Sequence, residues 1–137
     1  MLPSLMTGAK HTDARGTLSF NNDFDLTSVK RMYVIENQDT QVVRAWQGHK
    51  KEQRWFTAVK GSFKIELIAI DNWEKPSKNL QKYNFTLTAE KMNVLHIPSG
   101  YVSSIQSLEA ASKLLVMADC LLGENQDDYR FAVDYFG

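Results

Sequence analysis

Gln47 and His49 are separated by a single residue in the stretch from Arg44 to Phe56, RAWQGHKKEQRWF. On an extended strand, side chains two positions apart share a face. An imidazole, whose ordinary pKa is about 6.5, would then stand beside a carboxamide that does not titrate. Two histidines at this spacing would suggest a metal site or an acid with its base. With a glutamine in the first place, what remains is one proton-transfer group and one hydrogen-bond donor. Val43 and Ala45 fall on the same face, and Arg44 and Trp46 on the other unless a bulge intervenes. If the Gln47 face lines a barrel interior, two polar groups look into a space walled by apolar and aromatic side chains, the composition of a small-molecule pocket.

Other residues that can do chemistry are scattered along the chain. Tyr33 alternates with Ile35 in KRMYVIE and could be core or pocket wall. Arg15 precedes Gly16 in a turn, where a surface arginine is the ordinary outcome. His96 lies on the strand leading into Pro98 and reads as a satisfied core histidine, His11 as an exposed one. Trp46, Trp55 and Phe56 read as core. Cys120, in KLLVMADC, is the only cysteine and reads as a buried apolar thiol. A lone cysteine excludes an intrachain disulfide and a cysteine-based zinc cluster, and it fits a reducing cytoplasm.

The elements that must position these residues are short and β-rich. Runs at residues 30–36, 41–46, 54–59, 62–70, 83–88, 93–97 and 113–118 are separated by turn signals such as Lys60-Gly61, Asp71-Asn72 and Pro98-Ser-Gly100. The spacing predicts an all-β sandwich or barrel. Residues 62–70 are the clearest strand, with Phe63, Ile65, Leu67 and Ala69 alternating against Lys64 and Glu66; Ile68 and Ile70 suggest that its far end is covered on both sides. The polar loop at residues 71–81 should join two antiparallel strands, with Trp73 packing back. The tail at residues 127–136 reads as an edge segment docked on the barrel, and residues 124–135 also admit a short C-terminal helix.

At 137 residues the chain fits a single domain, 1–137, large enough to bury a core without a staple. Lysine plus arginine equals aspartate plus glutamate at 16 each. No net field therefore draws the chain to nucleic acid or to an anionic membrane. No run approaches the roughly 20 apolar residues that a helical membrane span needs, and the first residues lack the pattern of a signal peptide.

The segment from Arg44 to Phe56, followed by Gly61-Ser-Phe-Lys and then by Pro98-Ser-Gly100, resembles the two-motif pattern of the cupin superfamily, whose fold is a double-stranded β-helix or jelly-roll barrel. Cupins of this pattern usually bind a divalent metal through four side chains. The matching places here read Gln47, His49, Gln53 and Ser103, one ligand of four. A first-row metal needs several imidazole, carboxylate or thiolate ligands at about 2.0–2.3 Å. Glu52, one residue from Gln53, supplies at most one more anion. The expectation is no metal and no other cofactor.

Within the cupins, Asp13-Ala-Arg-Gly16, residues 29–35, Arg44-x-x-Gln-Gly-His-Lys50, the Gly61 turn and the closing Asp128-Tyr-Arg-Phe are similar to the nucleotide-sugar 3,4-ketoisomerases of the WxcM-like (FdtA-type) group. A weaker likeness runs to the dTDP-4-keto-6-deoxysugar 3,5-epimerases. The resemblance implies an isomerase of a nucleotide-linked, dTDP-type 4-keto-6-deoxyhexose in deoxysugar and surface-glycan biosynthesis, with a nucleotide sugar and a second copy of the chain as its partners. It implies His49 as the proton-transfer residue, Tyr33 in the sugar pocket, and Arg15, Arg31 and Arg44 near the nucleotide sugar. Gln47, Gln53 and His96 are further candidates for substrate contact. Ala45 replaces the glycine of the family motif Arg-Gly-x-His-Ala-His-Lys, and Gln47 replaces its first histidine, which the 3,5-epimerases use as base. A sugar-nucleotide-binding cupin without turnover, or an epimerase using another base, are the alternatives.

Overall fold

The computed structural model describes residues 1–124 and 126–137. Two five-stranded antiparallel sheets face each other. The first contains β1 (Ser4–Met6), β9 (Val94–Ile97), β6 (Arg54–Lys60), β11 (Lys113–Ala118) and β4 (Arg31–Ile35), in that spatial order. The second runs β12 (Tyr129–Arg130), β5 (Val43–His49), β10 (Tyr101–Ser107), β7 (Ser62–Ala69) and β8 (Lys82–Thr88). The strands β2 (Ala9–Asp13) and β3 (Gly16–Phe20) form a separate hairpin. This is the all-β architecture of two packed antiparallel sheets expected.

Alternation decides which side chains fill the interior. Phe63, Ile65 and Leu67 of β7, Leu95 and Ile97 of β9, Leu114 and Val116 of β11, and Phe56 and Ala58 of β6 form one buried cluster between the sheets. The opposite faces are also covered. Trp46, Ile68, Val102 and Phe136 pack beneath the C-terminal segment, with Trp73 and Tyr135 against them. Trp55, Val94 and Met117 pack with Met6, Phe24 and Val29. Ile68 is fully buried, which is why the end of β7 departs from simple alternation.

The tail does not take the helical alternative, and no helix occurs among the described residues. Tyr129 and Arg130 pair with Gly48 and Gln47. The Phe131 and Trp46 backbones exchange hydrogen bonds of 2.9 and 3.1 Å. Phe136 meets Trp46 edge-on at 5.4 Å. Strand pairing and aromatic burial on β5 give this segment more than an isolated short helix would. Cys120 is half-buried rather than buried, with its Sγ 3.5 Å from a carboxylate oxygen of Asp119. The structure contains no helix long and apolar enough to cross a membrane among the described residues.

Two glycines are fixed by close approach. A side chain on Gly61, whose φ is +69°, would meet Ser112. At Gly48, between Gln47 and His49, a Cβ would lie 2.3 Å from the Tyr101 carbonyl oxygen and 2.8 Å from the Val102 Cα. Backbone cannot swing aside as a side-chain tip can, so the sheet closes at β5–β10 only with glycine here. Gly48→Ala should destabilise by about 1–3 kcal/mol, the usual cost of overpacking. A melting temperature several degrees lower by calorimetry is expected, and an unchanged one would show that β10 does not pack this tightly on β5.

Candidate active site

Between the sheets lies a cavity of about 600 Å³. His49, Gln47 and Arg44 of β5, Tyr33 of β4, Arg54 of β6, Tyr101 and Ser103 of β10, and Arg130 of β12 supply its polar wall. Phe56, Ile97 and Ile105 close its apolar side. A second pocket of about 290 Å³ shares Tyr33, Gln47, His49, Arg54 and Arg130 and adds Arg31, Glu52, Asp127 and Asp128.

A bulge brings Arg44 into this wall. Ser103 pairs with Gln47 but Ile105 with Arg44, so β5 carries one residue more than β10 over this interval. The extra residue reverses the alternation. Arg44 therefore lines the cavity with Gln47 and His49, and its Nε donates to Asn37 Oδ1 at 2.7 Å, while the Trp46 side chain packs in the cluster beneath the tail. Simple period-two reading had put Arg44 on the opposite face.

His49 is 9% exposed. Its Nδ1 lies 2.8 Å from the backbone carbonyl oxygen of Asp127 and 3.4 Å from Glu52 Oε2. A carbonyl only accepts, so Nδ1 carries the hydrogen and Nε2 of the neutral ring keeps its lone pair. Burial lowers the His49 pKa below its ordinary value, and the Arg54 guanidinium lowers it further; Glu52 and Asp127 oppose both. The ring is therefore neutral at pH 7, the form a general base requires.

Glu52 and Arg54 form the buried pair beside it. Arg54 Nε donates to Glu52 Oε2 at 2.8 Å, and its Nη2 makes a second, closer contact to the same oxygen. The Arg54 Nη1 donates to the Tyr33 hydroxyl oxygen. Tyr33 thereby accepts one hydrogen bond and keeps its own O–H proton to donate. The Arg31 guanidinium sits 5.5 Å from the centre of the Tyr33 ring and 3.9 Å from Glu52. Gln47 Nε2 donates to Asp128 Oδ1 at 2.9 Å, and Asp128 also pairs with Arg130 at 3.2 Å.

Three expected residues stand elsewhere. Gln53 and His96 lie on the outer face of the first sheet: His96 Nε2 is 2.7 Å from Gln53 Oε1, Gln53 Nε2 donates to Asp119 at 3.2 Å, and the His96 ring stacks on Trp55 at 5.4 Å. Strand parity is the reason. With Phe56 and Ala58 facing inward, Arg54 must face inward and Gln53 outward, and His96 likewise opposes Leu95 and Ile97. Arg15 sits in the β2–β3 turn, its side chain 90% exposed and paired with Asp13 at 2.8 Å, and lines neither pocket. Sequence reasoning missed Arg54, Arg130 and Asp127. The first was legible from the parity of β6; the other two come to the site only through the pairing of the tail with β5.

The donors do not suit a metal. Gln47 is bonded to Asp128, Gln53 faces away, Ser103 Oγ lies 3.5 Å from the Gln47 carbonyl oxygen, and Glu52 is committed to Arg54. Among the described residues no three His, Cys, Asp or Glu side chains are grouped to hold an ion.

Comparison with known proteins agrees with this fold. The chain superimposes on a variant of the 3,4-ketoisomerase QdtA from Thermoanaerobacterium thermosaccharolyticum in complex with TDP-4-keto-6-deoxyglucose, at a TM-score of 0.74 and 22% identity, over 99% of this chain and 94% of that one. A 3,4-ketoisomerase from Helicobacter canadensis gives 0.73 at 20% identity, over 99% and 96%. The rmlC epimerase of Mycobacterium tuberculosis gives 0.77 at 12% identity, over 98% and 72%. At these identities the likeness is one of fold. No curated protein matches the sequence. The profile of the family described as "FdtA: WxcM-like, C-terminal" matches residues 3–136, nearly the whole chain. The protein belongs to the WxcM-like, C-terminal (FdtA) family.

Proposed function

We propose that the protein is a metal-independent isomerase of a nucleotide-linked 4-keto-6-deoxyhexose, acting by 3,4-keto isomerisation in deoxysugar biosynthesis in the cytoplasm. The observation that carries this reading is the buried His49 imidazole, its Nδ1 against the Asp127 carbonyl oxygen, placed with the Tyr33 hydroxyl in one cavity edged by arginines. The solved relatives of the same fold include an isomerase in complex with TDP-4-keto-6-deoxyglucose.

A 4-keto group acidifies the hydrogen on C3. His49 Nε2 takes that proton, and the electron pair moves to form a C3=C4 enediolate with its charge on O4. A proton is then delivered to C4, for which the Tyr33 hydroxyl is suited, while the hydrogen on O3 passes to O4, so that O3 becomes the new carbonyl and O4 the new hydroxyl; the proton taken by His49 returns to the Tyr33 phenolate through solvent. Positioned acid–base catalysis of this kind is worth a factor of about 10² to 10⁴. Gln47 Nε2 has a second hydrogen beyond the one given to Asp128, and a donor aimed at a developing oxyanion supplies on the order of 3 kcal/mol. Arg44 and Arg130 border the cavity, and guanidinium forks suit the paired oxygens of a diphosphate.

The lack of a titrating group at Gln47 favours a second reading, a nucleotide-sugar-binding protein without turnover. The two separate in deuterium oxide with dTDP-4-keto-6-deoxyglucose, followed by NMR. Isomerisation places deuterium at C3 or C4; epimerase chemistry would place it at C5. The rate should rise with pH and level off, with its midpoint below 6.5, because burial and Arg54 disfavour the imidazolium. Binding without exchange or product, across several nucleotide-linked ketosugars, would leave only the second reading.

A homodimer accompanies this proposal. The β2–β3 hairpin is almost wholly exposed, Leu18 at 64%, and a lone two-stranded hairpin is marginal in water. The edge strand β4 exposes Met32 and Val34 at 71% and 54%. A second copy covering these surfaces would resolve both. Light scattering should give twice the chain mass, and a monomer at micromolar concentration would overturn the expectation.

A further inference from the structure

The geometry points to Asp127 as a positioning residue that holds His49 in the Nδ1–H form, leaving Nε2 bare toward the cavity. Resting on the proposed role of His49, the inference concerns a residue that touches none of the reacting atoms. Asp127 is 6% exposed and uses both of its acceptors on the same turn. Its backbone carbonyl oxygen is 2.8 Å from His49 Nδ1. Its carboxylate accepts from the backbone N–H groups of Lys50 and Lys51 at 2.8 Å each and of Glu52 at 2.9 Å.

These contacts divide the labour. The carbonyl selects the tautomer, and the carboxylate anchors the carbonyl by gripping the three residues that follow His49. The same grip sets Glu52, which pairs with Arg54, which in turn donates to Tyr33. One aspartate thus places both groups assigned to proton transfer. A neutral carboxamide does not substitute, because its NH₂ would face a backbone N–H, donor against donor.

Three histidines make the test internally controlled. His96 Nε2 lies 2.7 Å from Gln53 Oε1, which only accepts, so His96 is an Nε2–H ring. Nitrogen-15 NMR of the imidazoles should show His49 as Nδ1–H and His96 as Nε2–H in the unmodified protein. In Asp127→Asn, His49 should redistribute toward Nε2–H while the His96 signature stays, and kcat for ketosugar exchange should fall at least about 10-fold with KM little changed, part of the 10²–10⁴ a placed base contributes. An Nε2–H ring at His49 in the unmodified protein overturns the proposal, as does an unmoved His49 tautomer in a folded Asp127→Asn. If His96 shows that Asp127→Asn has not folded, Asp127→Ser, smaller and with one acceptor oxygen, must give the same redistribution. An Nδ1–H ring that moves in the variant, in a protein that exchanges no ketosugar, supports the positioning and removes the isomerase reading.

Discussion

A guanidinium on the inner face of a β-barrel strand has to be matched by an anion, and the Arg54–Glu52 pair is the contact on which the rest of this site depends. Arg54 is 7% exposed and Glu52 8%. Leaving either charge alone in that setting would cost about 3–5 kcal/mol. Matching them requires the chain to turn sharply between β5 and β6, so that Glu52 comes back beneath Arg54. The turn leaves three backbone N–H groups pointing inward, and the Asp127 carboxylate satisfies all three. Bringing Asp127 there draws the tail along β5, which places Arg130 and Asp128 at the cavity mouth.

The same pair shapes the chemistry. Arg54 disfavours the imidazolium at His49 and Glu52 favours it, and with burial added the neutral ring wins. Arg54 also spends a hydrogen bond on Tyr33, orienting a phenol whose proton is free to be given. A buried ion pair is weak evidence for stability. Here it ties the Tyr33 hydroxyl and the surroundings of His49 together around one cavity.

The all-β architecture and most of the central strands were legible because apolar alternation is the direct imprint of a two-faced sheet. What escaped has physical reasons. The strand Tyr101–Ser107 lies between β5 and β7 with serines at 104 and 107 buried at 5% and 3%, so it carries no apolar stripe. The strands of the β2–β3 hairpin are exposed and polar, and nothing in one chain gives them a buried face. Along the cavity, His49 and Gln47 stand out by type and spacing and Tyr33 through the family resemblance, whereas Arg44 reaches the wall through the bulge. Gln53 was a candidate by motif position and His96 by its place before Pro98, and strand parity puts both on the outer face of the first sheet. Asp127 and Arg130 are some 80 residues from His49, and no local pattern announces a contact made by a tail returning to a strand.

The central claim is that His49, with a glutamine rather than a second histidine beside it, is base enough for the isomerisation. It is tested most directly by the rate of deuterium incorporation at C3 of a dTDP-linked 4-keto-6-deoxyhexose in His49→Gln, compared with Gln47→Ala, once both are shown to bind the nucleotide sugar. The account predicts a loss of about 10²-fold or more in His49→Gln and a smaller one in Gln47→Ala. Exchange that survives in His49→Gln at the unmodified rate would contradict it.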